Sequence, residues 1–200
     1  MWERGCCCLG RWPNHQVAHR DFQRSASSLP LVREQVLPLL EDNDSKKFCA
    51  ELKRAKRVYI TGVGRSGLVV KAFGQRLMHI GMEVHLADEI TAPGASRGDL
   101  LVACSGTGST LFPLYMARKA KKIGARVVAL TGKRSSALAR LANQVIFIPA
   151  PLERGKKTKQ PARSLFEQVL FLYLDGVTLQ LMQEMSVPFR RIERRHANLE

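Results

Sequence analysis

Five short apolar runs recur along the chain: Arg57–Thr61, Glu83–Ala87, Leu100–Cys104, Arg126–Leu130 and Val145–Ile148. Each is four or five residues long and rich in Val, Leu and Ile, the pattern of buried strands. Helical spacing fills most of the intervals. Leu68, Ala72, Leu77 and Ile80 predict a helix from Leu68 to His79, stopped by Gly81. Leu111, Leu114, Tyr115 and Arg118, at i, i+3, i+4 and i+7, predict a helix over Leu111–Lys122. Upstream, Leu31–Leu40 and Ser45–Arg54 read as helix, broken at Asp42-Asn43-Asp44, with Asp44 or Ser45 placed to cap the second piece. Thr131–Ser136 is a turn into a short helix ending at Leu141, and Asp88–Asp99, with Pro93, Gly94 and Gly98, is a loop.

Strands alternating with helices predict an α/β fold: a doubly wound, five-stranded parallel sheet of flavodoxin-like type with flanking helices. Ligands in such sheets bind beyond the carboxyl ends of the strands. The loops at that edge are 62–67, 88–99, 105–110 and 131–135, and function is to be sought there.

One element breaks the pattern. Ser164–Met185 is apolar on nearly every side, including Leu165, Phe166, Val169, Leu170, Phe171, Leu172, Leu179 and Leu181. Such a helix must be buried all round. Glu167, Asp175 and Gln180 make a bilayer a costly place for it. Packing between its own sheet and a second subunit is the better solution, and predicts a homo-oligomer. No run of about 18 uninterrupted apolar residues indicates a membrane span.

Composition adds detail. The chain has 200 residues, 45% of them hydrophobic, enough for one core domain over 29–200. Residues 1–28 are expected to form a poorly ordered extension. The formal net charge is +15. Attraction of an anionic substrate and nucleic-acid binding both explain that excess. The sequence has no nucleic-acid motif and only 6% aromatic residues for base stacking, which disfavours the second. Three of the five cysteines are adjacent, Cys6 to Cys8, while Cys49 and Cys104 read as buried apolar residues. This usage predicts a reducing, cytoplasmic setting with no metal site.

Two loops carry candidate chemistry. Ser105-Gly106-Thr107-Gly108-Ser109-Thr110 lies between a strand and a helix. Its glycines free the backbone N–H groups to turn inward, its hydroxyls add donors, and the helix N-terminus adds partial positive charge. That combination suits a phosphate monoester, although a polar strand–helix turn has the same composition. Gly62-Val63-Gly64-Arg65-Ser66-Gly67 also follows a strand, with Asp88 ending the next one, which is the spacing of a dinucleotide fingerprint. Arg65 and Ser66 suit a sugar phosphate or carboxylate better than a pyrophosphate, and one dinucleotide leaves the second loop unexplained. No cofactor is therefore expected.

These segments together resemble a known family. The glycine loop 62–68, Arg76-Leu77-Met78-His79-Ile80-Gly81, the loop 105–110 and Ala120–Ala125 resemble a sugar isomerase (SIS) domain. Ser164-Leu165-Phe166-Glu167-Gln168 and the ending Arg194-Arg195-His196-Ala197-Asn198-Leu199-Glu200 narrow the likeness to the 6-phospho-3-hexuloisomerases of the ribulose monophosphate route of formaldehyde fixation. The chain departs from that pattern at Ser109-Thr110 and at Asp88-Glu89-Ile90. The resemblance implies a homotetramer that interconverts D-arabino-3-hexulose 6-phosphate and fructose 6-phosphate through an enediolate. It implies substrate contacts from Gly64, Arg65, Ser66, Glu89, Ser105, Gly106, Thr107, Ser109 and Thr110. Glu167, opening a buried helix, is the expected carbon base, and Glu89 the alternative. His196 is expected to move protons between oxygens, and its place on the tail suits a neighbouring subunit's site. His79 reads as core packing.

Overall fold

A computed structural model of the protein describes residues 43–149, 164–196 and 198. The readings of Met1–Ser28 and Leu31–Leu40, and the basic loop read over 149–163 beyond Pro149, lie outside the described residues. In chain order the elements are α1 (Asn43–Arg54), β1 (Val58–Thr61), α2 (Gly64–His79), β2 (Val84–Leu86), β3 (Leu100–Cys104), α3 (Leu111–Ile123), β4 (Arg126–Thr131), α4 (Ala137–Leu141), β5 (Gln144–Phe147), α5 (Ser164–Glu184) and α6 (Phe189–Arg194).

The five strands form one parallel sheet in the order β2-β1-β3-β4-β5. Alternation along each strand divides the core in two. Val58, Ile60, Val102, Cys104, Val128 and Leu130 face α1, α2 and α5. Tyr59, Leu101, Ala103, Val127 and Ala129 face α3 and α4. The second layer is lined with alanines, including Ala117 and Ala120 of α3, so that helix packs close to the strands.

Two local expectations change. The segment 62–67 is not all loop: α2 starts at Gly64, so Arg65, Ser66 and Gly67 lie in its first turn. Glycine is what permits it. A Cβ on Gly67 would sit 2.7 Å from the Gly62 carbonyl oxygen, so only a bare backbone lets the helix begin hard against the strand end. The β2–β3 connection keeps to the loop expected over 88–99, with no helix in it. The connection crosses β1, where the Tyr59 hydroxyl donates to the Pro93 carbonyl at 2.9 Å. Its far end is held by Arg57, whose Nη2 donates to Asp99 Oδ2 at 2.9 Å. Second, Ser45 does not cap α1. It is buried, and its hydroxyl donates to Gln180 Oε1 of α5 at 3.1 Å.

Helix α5 is half of what its composition predicts. One side is fully buried against the sheet and α2, with Phe166, Val169, Leu170, Tyr173 and Val177 in the core. The other side leaves Phe171, Leu172 and Leu179 exposed by 43%, 45% and 56%. By length and composition α5 would also span a bilayer, but more than half of that apolar stretch is buried inside the domain, as in a core helix.

Candidate active site

The sheet order fixes where a cleft opens. From β1 the chain moves outward to β2, then returns to β3 and proceeds the other way. The carboxyl ends of β1 and β3 are therefore the switch point, where the two following helices lie on opposite faces. Helices α2 and α3 start there, and neither carries an acidic residue in its first turn. Their leading N–H groups have no intrahelical acceptor, so two partly positive termini converge on one edge.

The loop after β3 is tightly built. Gly108 N–H donates to the Ser105 hydroxyl at 3.0 Å, and the Ser105 and Thr110 hydroxyls bond each other at 2.8 Å. The Ser109 hydroxyl donates to Thr107 Oγ1 at 3.0 Å. The loop also docks on the next connection, through Gly132 N–H to the Gly106 carbonyl at 3.0 Å and Leu138 N–H to the Gly108 carbonyl at 2.9 Å. Gly108 has φ +63°, and a Cβ there would fall 2.0 Å from Ser136 Oγ. Ser105 is buried while Ser109 is exposed, so the loop presents a rigid base and an open rim.

Beside it, Arg65 in the first turn of α2 pairs with Glu167 in the first turn of α5 through Nε and Oε2. The Arg65 side chain is 70% exposed and the Glu167 side chain 13%. A mostly buried carboxylate thus lies under a cation that reaches into solvent. The Ser66 hydroxyl donates to the Val63 carbonyl at 3.1 Å. Beneath the site the Cys104 thiol is buried, and burial pushes its pKa up to about 12, so this sulfur stays neutral.

Sequence reasoning passed over Lys71 and Phe112. Lys71 pairs with Asp88 at 3.5 Å, and both line a cleft with Gly62, Gly64, Leu68 and Phe112. The signal for Lys71 was its position four residues after Gly67, one turn along the same helix face. That pairing occupies Asp88, the acid a dinucleotide ribose would need. Glu89, next to Asp88 in the chain, faces a different groove. It lines a mostly apolar groove on the α3 face with Tyr59, Met116 and Lys119.

His196 is not brought to Glu167 within the chain. Its ring stacks on His79 at 5.4 Å between centroids. Glu167 meets the first turn of α2, and His79 is its last residue. At about 1.5 Å per residue, about 22 Å of helix separates the two ends. Among the described residues, no group of three or more His, Cys, Asp and Glu is placed to hold a metal ion.

Comparison with known proteins shows what the chain is similar to. A family described as SIS domain matches residues 51–174. The 3-hexulose-6-phosphate isomerase of Mycobacterium gastri is 40% identical over 180 residues, covering 87% of this chain and 90% of the relative. The enzyme of the same name from Bacillus subtilis is 35% identical over 165 residues, covering 80% of this chain and 89% of the relative. A solved structure from Methanococcus jannaschii, whose molecular function was inferred as 3-hexulose-6-phosphate isomerase, superposes with a TM-score of 0.78 at 28% identity, over 87% of this chain and 99% of that one.

Proposed function

The chain belongs to the SIS domain family, and from that premise we propose how its cleft works. It is an isomerase that interconverts D-arabino-3-hexulose 6-phosphate and fructose 6-phosphate. The observation that carries the assignment of parts is the Arg65–Glu167 pair, set between two helix N-termini at the switch point of the sheet.

The reaction moves a carbonyl from C3 to C2. Glu167 takes the proton from C2 and returns it to C3. His196 protonates the C3 oxygen as the enediolate forms and accepts the proton of the C2 hydroxyl as it collapses. No net proton is gained or lost. The Arg65 guanidinium stabilises the charge that develops on the enediolate oxygens. The phosphate sits on the N–H groups opening α3 and the hydroxyls of Ser105, Thr107, Ser109 and Thr110, with Gly106 supplying the turn that lets it approach. Gly64 and Ser66 line the sugar side. The positive surface, +15 over the chain, raises the local concentration of a dianionic substrate.

His196 then acts in a neighbouring subunit. Two features support this: the length of α2 between Glu167 and His196, and the exposed apolar row on the outer face of α5. The assembly is a homo-oligomer, a tetramer by resemblance.

The test is a coupled assay in which 3-hexulose 6-phosphate is generated from formaldehyde and ribulose 5-phosphate while fructose 6-phosphate is followed. Glu167→Gln should lower kcat by about 10²–10⁴-fold, the range for removing a positioned proton carrier. Turnover that survives this substitution moves the carbon base to Glu89.

A further inference from the structure

His79 carries more than its burial requires. It is 1% exposed, closing the end of α2, yet its Nε2 is sealed from solvent with no hydrogen-bond partner among the described residues. Its other nitrogen, Nδ1, lies 3.5 Å from Arg76 Nη1, a group that only donates. A leucine would fill a buried helix end without hiding an unpaired polar atom. Positions that bear such a cost are where function is sought.

What the ring supplies is a flat face. The His196 ring lies over it, the planes inclined by 29°. The backbone on either side is matched to that contact. Gly81, two residues past His79, has φ +108°, and a Cβ there would lie 3.0 Å from Arg195 Nη1 and 3.4 Å from Arg191 Nη2. Gly81, in the left-handed region, closes α2, and the Arg191 and Arg195 side chains lie against it, so α6 and the residue after it sit over the end of α2. In that tight corner imidazole gives an aromatic face in a smaller side chain than phenylalanine. Burial, followed by the positive charges of Arg76, His196 and Arg195, lowers the pKa of His79. The supporting ring stays neutral and does not repel His196 when His196 takes up a proton.

We infer that His79 is a positioning residue for His196: its buried ring sets the plane in which the tail presents His196 to the reaction. The inference rests on the assignment of His196 to proton transfer between the substrate oxygens. It does not depend on which subunit's site His196 enters.

A double-mutant cycle tests it. His79→Leu is made in the parent and in His196→Ala, with kcat, KM and melting temperature measured for all four proteins. His79→Leu in the parent should lower kcat about ten-fold, the scale of a misplaced catalytic group, with KM within about twofold and no loss of melting temperature. In His196→Ala the same substitution should change kcat by less than about twofold, because there is no ring left to orient. His79→Phe, which keeps a flat face, should recover part of the loss, and His79→Met, which fills the site without one, serves as the cycle partner if the leucine variant does not fold. An equal fall in both backgrounds assigns His79 to packing and overturns the inference, as does no fall in the parent. A His196→Ala protein with parental kcat is a separate result: it removes the role of His196 and the inference with it.

Discussion

Gly108 shows how much of the site rests on single atoms. Its positive φ and the 2.0 Å approach of Ser136 Oγ to a built Cβ leave no room for alanine. Gly108→Ala should lower stability by about 2 kcal/mol or more and raise KM for the phosphorylated substrate, because the loop must lift off the β4–α4 connection. Thermal denaturation and the coupled assay read both effects. Asp99 acts far from the chemistry, at the amino edge of the sheet. Burial pushes its carboxyl up, but the hydrogen bonds from Arg57 and Ser96 outweigh burial and hold it below its ordinary value of 3.8. A carboxyl depressed in the folded state contributes stability that is complete above its unfolded pKa and is lost as pH falls through the folded one. Melting temperature should therefore fall below about pH 4, and Asp99→Asn should be less stable at pH 7 with a flatter profile over that acid range. Equal slopes for the two proteins would assign the acid sensitivity to other carboxylates.

At the scale of elements, α2 and α5 divide the work. Helix α2 spans the domain with Arg65 at one end and His79 at the other, so it relates the cleft to the tail as a rigid strut. Gly74 keeps it close to the sheet: a Cβ there would come within 3.3 Å of Ile60 Cγ1. Helix α5 supplies Glu167 from its first turn and buries one apolar side. Its outer row of Phe171, Leu172 and Leu179 forms a surface that water solvates poorly. Leu179→Lys on that row should shrink the assembly, measured by light scattering after gel filtration, while the secondary structure seen by circular dichroism stays unchanged. An assembly of unaltered mass would place the subunit contact elsewhere.

For the whole molecule, the proposed roles of Glu167 and His196, set at opposite ends of α2, require activity to be a property of the assembly. Subunits carrying Glu167→Gln and subunits carrying His196→Ala should each be nearly inactive. Refolded together in equal amounts, they should regain about a quarter of parental activity, since one site in four then draws an intact residue of each kind from two chains. A site closed within one chain would regain none.

Much of this was legible in the sequence, for a local reason. Strand positions follow from apolar runs and helix positions from their spacing, and both depend on neighbours within a few residues. The parallel sheet, the carboxyl-edge loops and the strand–loop–helix turn at Ser105–Thr110 follow from those alone. The first turn of α2 was not legible, because a glycine pair reads as loop until one sees Gly67 pressed on Gly62. Nor was the role of Ser45, whose partner Gln180 lies 135 residues away. Lys71 joining Asp88, Arg65 joining Glu167, and the stack of His79 with His196 are likewise contacts between distant segments. Sequence determines which side chains can bear charge, bend or bury, because those are properties of the residue and its near neighbours. Which of them meet is decided by the crossing of the sheet and the length of α2, and distances of that kind exist only once the chain has folded.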